Sequence, residues 1–505
     1  LDKKTGFDNE RYLKEQSSMI LERVKKFDGK LYLEFGGKIM FDYHASRVLP
    51  GYDPNVKMLL LEKLKDKAEI ILCIYSGDIE KRRIRGDFGI TYDADALRML
   101  DDFSEWGMTV RGIVLTRFEN QPSVSIFKNK LERRGVKVYT HRYTKGYPTD
   151  VNLIVSEDGY GSNSFIETEK PIVVVTGPGP GSGKLATCLS QLYHEHKRGI
   201  NAGYAKFETF PIWNLPLRHP VNIAYEAATV DIKDFNMIDS FHLEAYNKPS
   251  VNYNRDMEIF PVLRRILQKI THTDDFYKSP TDMGVNCAAL GITDNDVVCS
   301  AARQEIIRRY FRCACEYVMG ISNHDDVQRV ELLMKELLLT PEDRNVVKFA
   351  KSAAKEAGKR KKGNKGVLSG AAIELNDGTV VTGYNSTTMH AVSCLVINAI
   401  KKLSGIPDKK DLISEQVINS IASLKNNILD TKKLSLNLEE TLIALGISAT
   451  YDPDVQAAVQ KLVELRGCEV HTTHIPASGD EAGLRMLGVN MTSEPAFATK
   501  SFYTV

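Results

Sequence analysis

Four stretches, KLYLEF (30–35), AEIILCIYS (68–76), MTVRGIVLT (108–116) and KPIVVVTG (170–177), are apolar and rich in β-branched residues, without the alternation of a strand that has one wet face. Helical periodicity lies between and after them, around 94–105, 123–135 and 184–197, and an amphipathic helix over 10–28 precedes the first. Strands apolar on both faces must be covered on both, and strands separated by helices are joined by crossovers. The pattern therefore predicts an α/β fold with a mostly parallel sheet, which GVKVYTHR (135–142) extends by one strand.

From about 255 the β-branched runs give way to long helical patterns such as DVVCSAARQEIIRRYFRCACEYVM. The Lys- and Gly-rich EAGKRKKGNKG (356–366) has no apolar anchor and reads as an exposed linker. Beyond it, GAAIELNDGTVVTGYN reads as a hairpin turning at Asn376-Asp377-Gly378, followed by the helix VSCLVINAIKKLSG. Three domains are predicted: α/β over 1–255, helical over 256–355 and a second α/β domain over 367–505.

Lys plus Arg number 67 against 65 Asp plus Glu, so overall charge gives no reason to expect a nucleic-acid or membrane partner. Eight scattered cysteines lack the density of a disulfide framework, and no apolar run reaches the ~18 residues a bilayer span needs. The opening residues lack the apolar core of a signal peptide, and a cytoplasmic location is expected.

The chemistry concentrates in PIVVVTGPGPGSGKLATCLSQLYHE (171–195), where a strand runs through a Gly-rich turn into a helix. Glycines let backbone amides converge on an anion, the helix start adds positive potential, and a Lys there reaches further oxygens. The cradle candidates are Thr176, Gly177, Gly179, Gly181, Ser182, Gly183, Lys184 and Thr187. The segment resembles the Walker A loop of P-loop nucleotide enzymes, but Pro178 stands where the first Gly belongs, and Leu185 where the metal-binding hydroxyl belongs. ATP or GTP is the expected cofactor. Mg²⁺ is expected only if Ser182, Thr187 or a carboxylate replaces that hydroxyl.

Downstream, 203–263 sets polar groups among aromatics and prolines, as in loops lining a cleft. Lys184, Glu226, Asp239, Arg255 and Asp256 are the catalytic candidates, as charge stabilisers, proton acceptors or metal ligands. Lys206, His219, Asn252 and Asn254 are candidate substrate contacts, joined by Lys38, His44 and Arg47 from the loop after the first strand. Parallel strands bring these loops to one sheet edge. Zinc is not expected: His194 and His196 are two apart where H-E-x-x-H needs four, and Cys313-Ala-Cys315 has no second pair. The stretch 371–402 is similar to the opening of the cytidine-deaminase-like fold, but His390-Ala391 is followed by Val392 instead of the catalytic Glu. That likeness implies a zinc-free scaffold or binding domain.

FGGK (35–38), HASRVLPGY (44–52), GYPTD (146–150), GPGPGSGKLATC (177–188), YAKFETFPIWNLPL (204–217) and VNYNRD (251–256) together resemble an uncharacterised family of large bacterial proteins. The resemblance implies several α/β domains and supplies no activity. The residues themselves point to an ATP- or GTP-dependent enzyme acting on a small metabolite by phosphoryl transfer or ligation. The alternatives are a non-catalytic sensor of a phosphorylated ligand, assembled as a homo-oligomer through its helical part, and a sugar-phosphate enzyme that uses no nucleotide.

Overall fold

The computed structural model describes residues 4–499 apart from 28, 86, 87, 274, 275, 365, 432 and 433. The chain divides into two compact units, one of Thr5–Ala302 and one built from Arg303 onward. The segment expected to be a separate helical domain, 256–355, is shared between them, and the helix Asn295–Val318 contains the division. Among the described residues no helix is long and apolar enough to cross a membrane.

Six parallel strands form the sheet of the first unit: β1 (Leu31–Phe35), β2 (Ala68–Tyr75), β3 (Val110–Thr116), β4 (Val138–His141), β5 (Ile172–Thr176) and β6 (Gly203–Phe207). Their order is β4-β3-β2-β5-β1-β6. All five residues of β1 and of β5 are buried, as strands apolar on both faces require. The order also fixes the crevice. The chain leaves β2 toward β3 and leaves β5 in the opposite direction toward β6, and right-handed crossovers then lie on opposite faces. The neighbours β2 and β5 thus part at their carboxyl ends, where open α/β sheets bind ligands.

Three helices matter to that edge. Tyr92–Glu105 follows β2, Lys184–Lys197 follows β5 and packs over β1, and Asn254–Thr271 packs on Lys184–Lys197. A short antiparallel pair, Asn236–Ile238 with Val251–Tyr253, delivers Tyr253 and Asn254 to the start of the last helix. After β1 the turn is pinned by a buried ammonium: Lys57 Nζ reaches the carbonyls of Lys38 at 2.8 Å and Gly36 at 3.4 Å, and Asp42 Oδ2 at 3.1 Å.

The second unit carries a mixed sheet of β7 (Gly370–Glu374), β8 (Val380–Tyr384), β9 (Glu469–Thr472) and β10 (Asn490–Ser493), in the order β8-β7-β9-β10. Only the β9–β10 pairing is parallel. The hairpin and following helix Ala391–Ser404 stand where the sequence placed them. Arg344, 1% exposed, fastens the sheet edge through Thr492 Oγ1 and the Asn490 carbonyl, both at 2.8 Å, and through Glu469. Burial would raise the Glu469 carboxyl, but Arg308 and Arg344 outweigh it and bring its pKa down to about 2.

Asp42→Ala leaves the Lys57 ammonium buried without its counter-charge, and urea unfolding is expected to show a loss of about 3–5 kcal/mol. Glu469, depressed in the folded state, contributes stability above its ordinary pKa of 4.5 that is lost as pH falls toward about 2. Acid titration followed by circular dichroism is expected to show this loss, and Glu469→Gln to flatten it.

Candidate active site

The turn from β5 into Lys184–Lys197 is held open by its neighbours. Gly183 adopts φ 89°, and a β-carbon there would lie 2.6 Å from Thr116 Cγ2, so only glycine lets the loop approach β3 this closely. Thr116 Oγ1 donates to the Ser182 carbonyl at 2.8 Å, fixing the loop on the sheet. Lys184 folds back across it, with Nζ 3.3 Å from both the Gly179 carbonyl and Ser182 Oγ. The amides of Gly181, Gly183, Lys184, Leu185 and Ala186 have no acceptor among the described residues, and no side chain caps the helix. Unsatisfied amides beside an ammonium are the physical requirement for holding an anion.

A second group of charges lies at the carboxyl ends of β1 and β6. Lys206, paired across the sheet with Glu34, places Nζ 2.7 and 2.9 Å from the two Asp256 oxygens and 3.3 Å from Glu208. Lys206 also donates to the Tyr253 hydroxyl, which in turn donates to Glu208 at 3.0–3.1 Å. Tyr204 donates to Glu34 at 2.7 Å. Burial works against the Lys206 charge, but Asp256, Glu208 and Glu34 together raise its pKa. Three carboxylates facing one ammonium cannot all ionise cheaply. Burial raises the Glu208 pKa, Lys206 pulls it down, and repulsion from Asp256 and Glu34 pushes it up again, leaving it above the ordinary value. A β-carbon on Gly36 would fall 2.2 Å from Glu208 Cγ, so the turn after β1 sets where that carboxyl stands.

The two groups meet behind the sheet edge. Lys184 and Glu34 both act on the buried Cys188 thiol, pulling its pKa in opposite directions, although burial is the main cause of its rise. The arrangement can therefore hold an anion on the loop and move a proton nearby.

Of the residues singled out from the sequence, the structure brings Lys206 and Asp256 together and leaves Gly181, Gly183 and Lys184 on the anion cradle. Thr187 is buried, with its hydroxyl 3.4 Å from Cys73 Sγ and 3.5 Å from His141 Nδ1, turned away from the loop. Glu226 accepts from the Asn236 amide, and Asp239, wholly buried, caps the helix Ser240–Tyr246 and accepts from Thr281. Asn252 accepts from the Tyr253 amide and Asn254 from the Phe235 amide. Arg255 is paired with Asp234, and His219 with Asn295 at 2.9 Å. His44 lies edge-on to Phe210, Lys38 has its ammonium 5.9 Å from the Phe88 ring centre, and Arg47 is half-buried in the helix Tyr43–Val48. Thr176 is fully buried at the end of β5.

Glu34, Tyr204, Glu208 and Tyr253 complete the hydrogen-bonded charge cluster around Lys206. Glu208 is one of the polar candidates that 203–263 offers, whereas the sequence does not single out Glu34, Tyr204 or Tyr253. The signal for Glu34 was an acidic residue inside an otherwise apolar strand. Among the described residues no group of three or more His, Cys, Asp or Glu is arranged to hold a metal ion.

The fold and site define an α/β protein with a parallel sheet, a helical middle region and a second, mixed sheet. Residues 5–338 match the family model described as Domain of unknown function DUF1846, N-terminal, and residues 342–503 its C-terminal counterpart. UPF0371 proteins of Clostridium botulinum strain Langeland and of Clostridium tetani are 56% and 55% identical to this chain, each over 99% of both sequences. The chain belongs to this bacterial family.

Lys206→Met is expected to cost about 3 kcal/mol or more in denaturant unfolding, because it strands several carboxylates in a partly buried site. Glu208→Gln should do the reverse. A carboxyl raised in the folded state destabilises as pH rises past its unfolded pKa, so the variant's advantage over wild type is expected to grow as pH rises above 4.5.

Proposed function

We propose that the N-terminal unit is an enzyme acting on a small phosphorylated molecule, whose phosphate rests on the amides of Gly181 to Ala186 and on Lys184. The proton needed for group transfer moves through Glu208, held by Lys206 and Tyr253. The observation that carries this reading is the set of loop amides without an acceptor, beside an ammonium that folds over them. Phosphoryl transfer or ligation with ATP or GTP fits such a cradle, since that chemistry rests on positioning and on cations at the phosphoryl oxygens. A metabolite's own phosphate, as in a sugar phosphate, fits the same donors. If Mg²⁺ takes part, Ser182 Oγ is the hydroxyl nearest the Lys184 ammonium. The C-terminal unit, with its deaminase-like hairpin and helix, serves as a zinc-free scaffold in which His390 Nδ1 is tied to Asp480 at 2.7 Å.

A non-catalytic sensor, assembling as a homo-oligomer, is the second reading. It is favoured by Leu185 following Lys184 and by the inward Thr187 hydroxyl, which together remove the usual metal-binding position. Thermal unfolding in the presence of inorganic phosphate, sugar phosphates, ATP and GTP tests the shared premise. A bound ligand at 100 times its Kd is expected to add about 2.7 kcal/mol, and Lys184→Ala to abolish the gain. Equal shifts in wild type and variant, or none in either, would remove the phosphate site. Shifts without any change of the ligand in ³¹P spectra would favour the sensor.

A further inference from the structure

Two guanidinium groups outside every motif noted above stand at the two ends of the Gly-rich loop. At one end, Gly179 packs against the Tyr92 ring, where a β-carbon would approach Cε1 to 2.4 Å, and the Arg83 guanidinium lies 5.6 Å from the centre of that ring. At the other end, Gly183 packs against Thr116. The next residue, Arg117, has φ 51° and holds its guanidinium 4.8 Å from the centre of the Tyr75 ring, at the end of β2. Each arginine is thus one contact removed from the loop and carried on an aromatic face, which orients a guanidinium without neutralising it. Lys184 lies between them.

The neighbourhood leaves hydrogen-bonding capacity unused as well. Ser76 Oγ and Thr176 Oγ1, at the ends of the adjacent strands β2 and β5, are fully buried, with no partner among the described residues. Buried hydroxyls without partners are costly and rare, and their position at the foot of the loop marks a place that a ligand or its bound water completes. Asp78 stands 3.5 Å from Arg83, whose side chain is 55% exposed, a loose pairing that an anion can displace.

Resting on the phosphate reading above, we infer that the ligand carries linked phosphates, as a nucleoside di- or triphosphate does, and that Arg83 and Arg117 bind the phosphates beyond the one seated on the amides. A single phosphate is satisfied by the helix-start amides and one ammonium. Three cations spread along the loop match the longer run of charge on a phosphate chain. Both arginines act by position and charge, and no bond is made or broken in this step.

Isothermal titration of the full-length protein with orthophosphate and with tripolyphosphate tests the inference, using Lys184→Ala, Arg83→Ala, Arg117→Ala and the charge-preserving Arg83→Lys and Arg117→Lys. Wild type is expected to bind tripolyphosphate at least about ten-fold more tightly than orthophosphate. Each arginine-to-alanine change is expected to weaken tripolyphosphate about ten-fold while leaving orthophosphate within about two-fold, with partial recovery in the lysine variants. Circular dichroism establishes that each variant is folded. Lys184-dependent binding of both anions with equal affinity, or tripolyphosphate binding indifferent to both arginines, overturns the inference and leaves the phosphate site standing. Loss of Lys184 dependence for both anions overturns the phosphate site itself.

Discussion

Parallel strands deliver all their carboxyl ends to one edge, and the first unit depends on that constraint. Six loops, one from each strand, must share the edge, and the strand order opens it between β2 and β5. The Gly-rich turn leans on β3 through Thr116, and the helix it starts runs back over β1. On β1 and at the end of β6, Glu34, Lys206 and Glu208 are brought side by side. The Gly-rich turn and the Lys206 charge cluster thus share one edge because the sheet leaves them no other place.

The electrostatics of the edge are divided. Around the loop the free amides and Lys184 give positive potential, whereas around Lys206 the carboxylates outnumber the ammonium. That division is what the proposed acid-assisted transfer of a phosphorylated group would use. Each half also prevents the other from collapsing. Lys184 is drawn to its own loop rather than to Glu34, and Lys206 is saturated by Asp256 and Glu208.

Much of the fold was legible because β1, β2, β3 and β5 bury both faces, so their sequences lack alternation and cannot be mistaken for exposed strands. The division at residue 302 was not legible, since it falls inside the continuous helix Asn295–Val318, where no change of composition marks it. The geometry of the Gly-rich turn was legible where backbone chemistry dictates composition, at Gly181, Gly183 and Lys184. The contacts around it were illegible where they depend on tertiary packing. Asp239 and Asn254 looked chemical but cap helices or tie loops, whereas Glu34, Tyr253, Arg83 and Arg117 acquire their setting only from neighbours distant in sequence.

The buried ammonium of Lys57 gives the turn after β1 a second meaning. It grips the carbonyls of Gly36 and Lys38 while leaning on Asp42, and Gly36 is the residue whose bare backbone makes room for Glu208. Loss of the Asp42 carboxylate would therefore loosen the seat of Glu208. Burial works against the Asp42 charge, but Lys57, Lys38 and His44 hold its pKa below the ordinary value, so this turn keeps its anchor through mild acid, where ordinary carboxylates are already taking up protons.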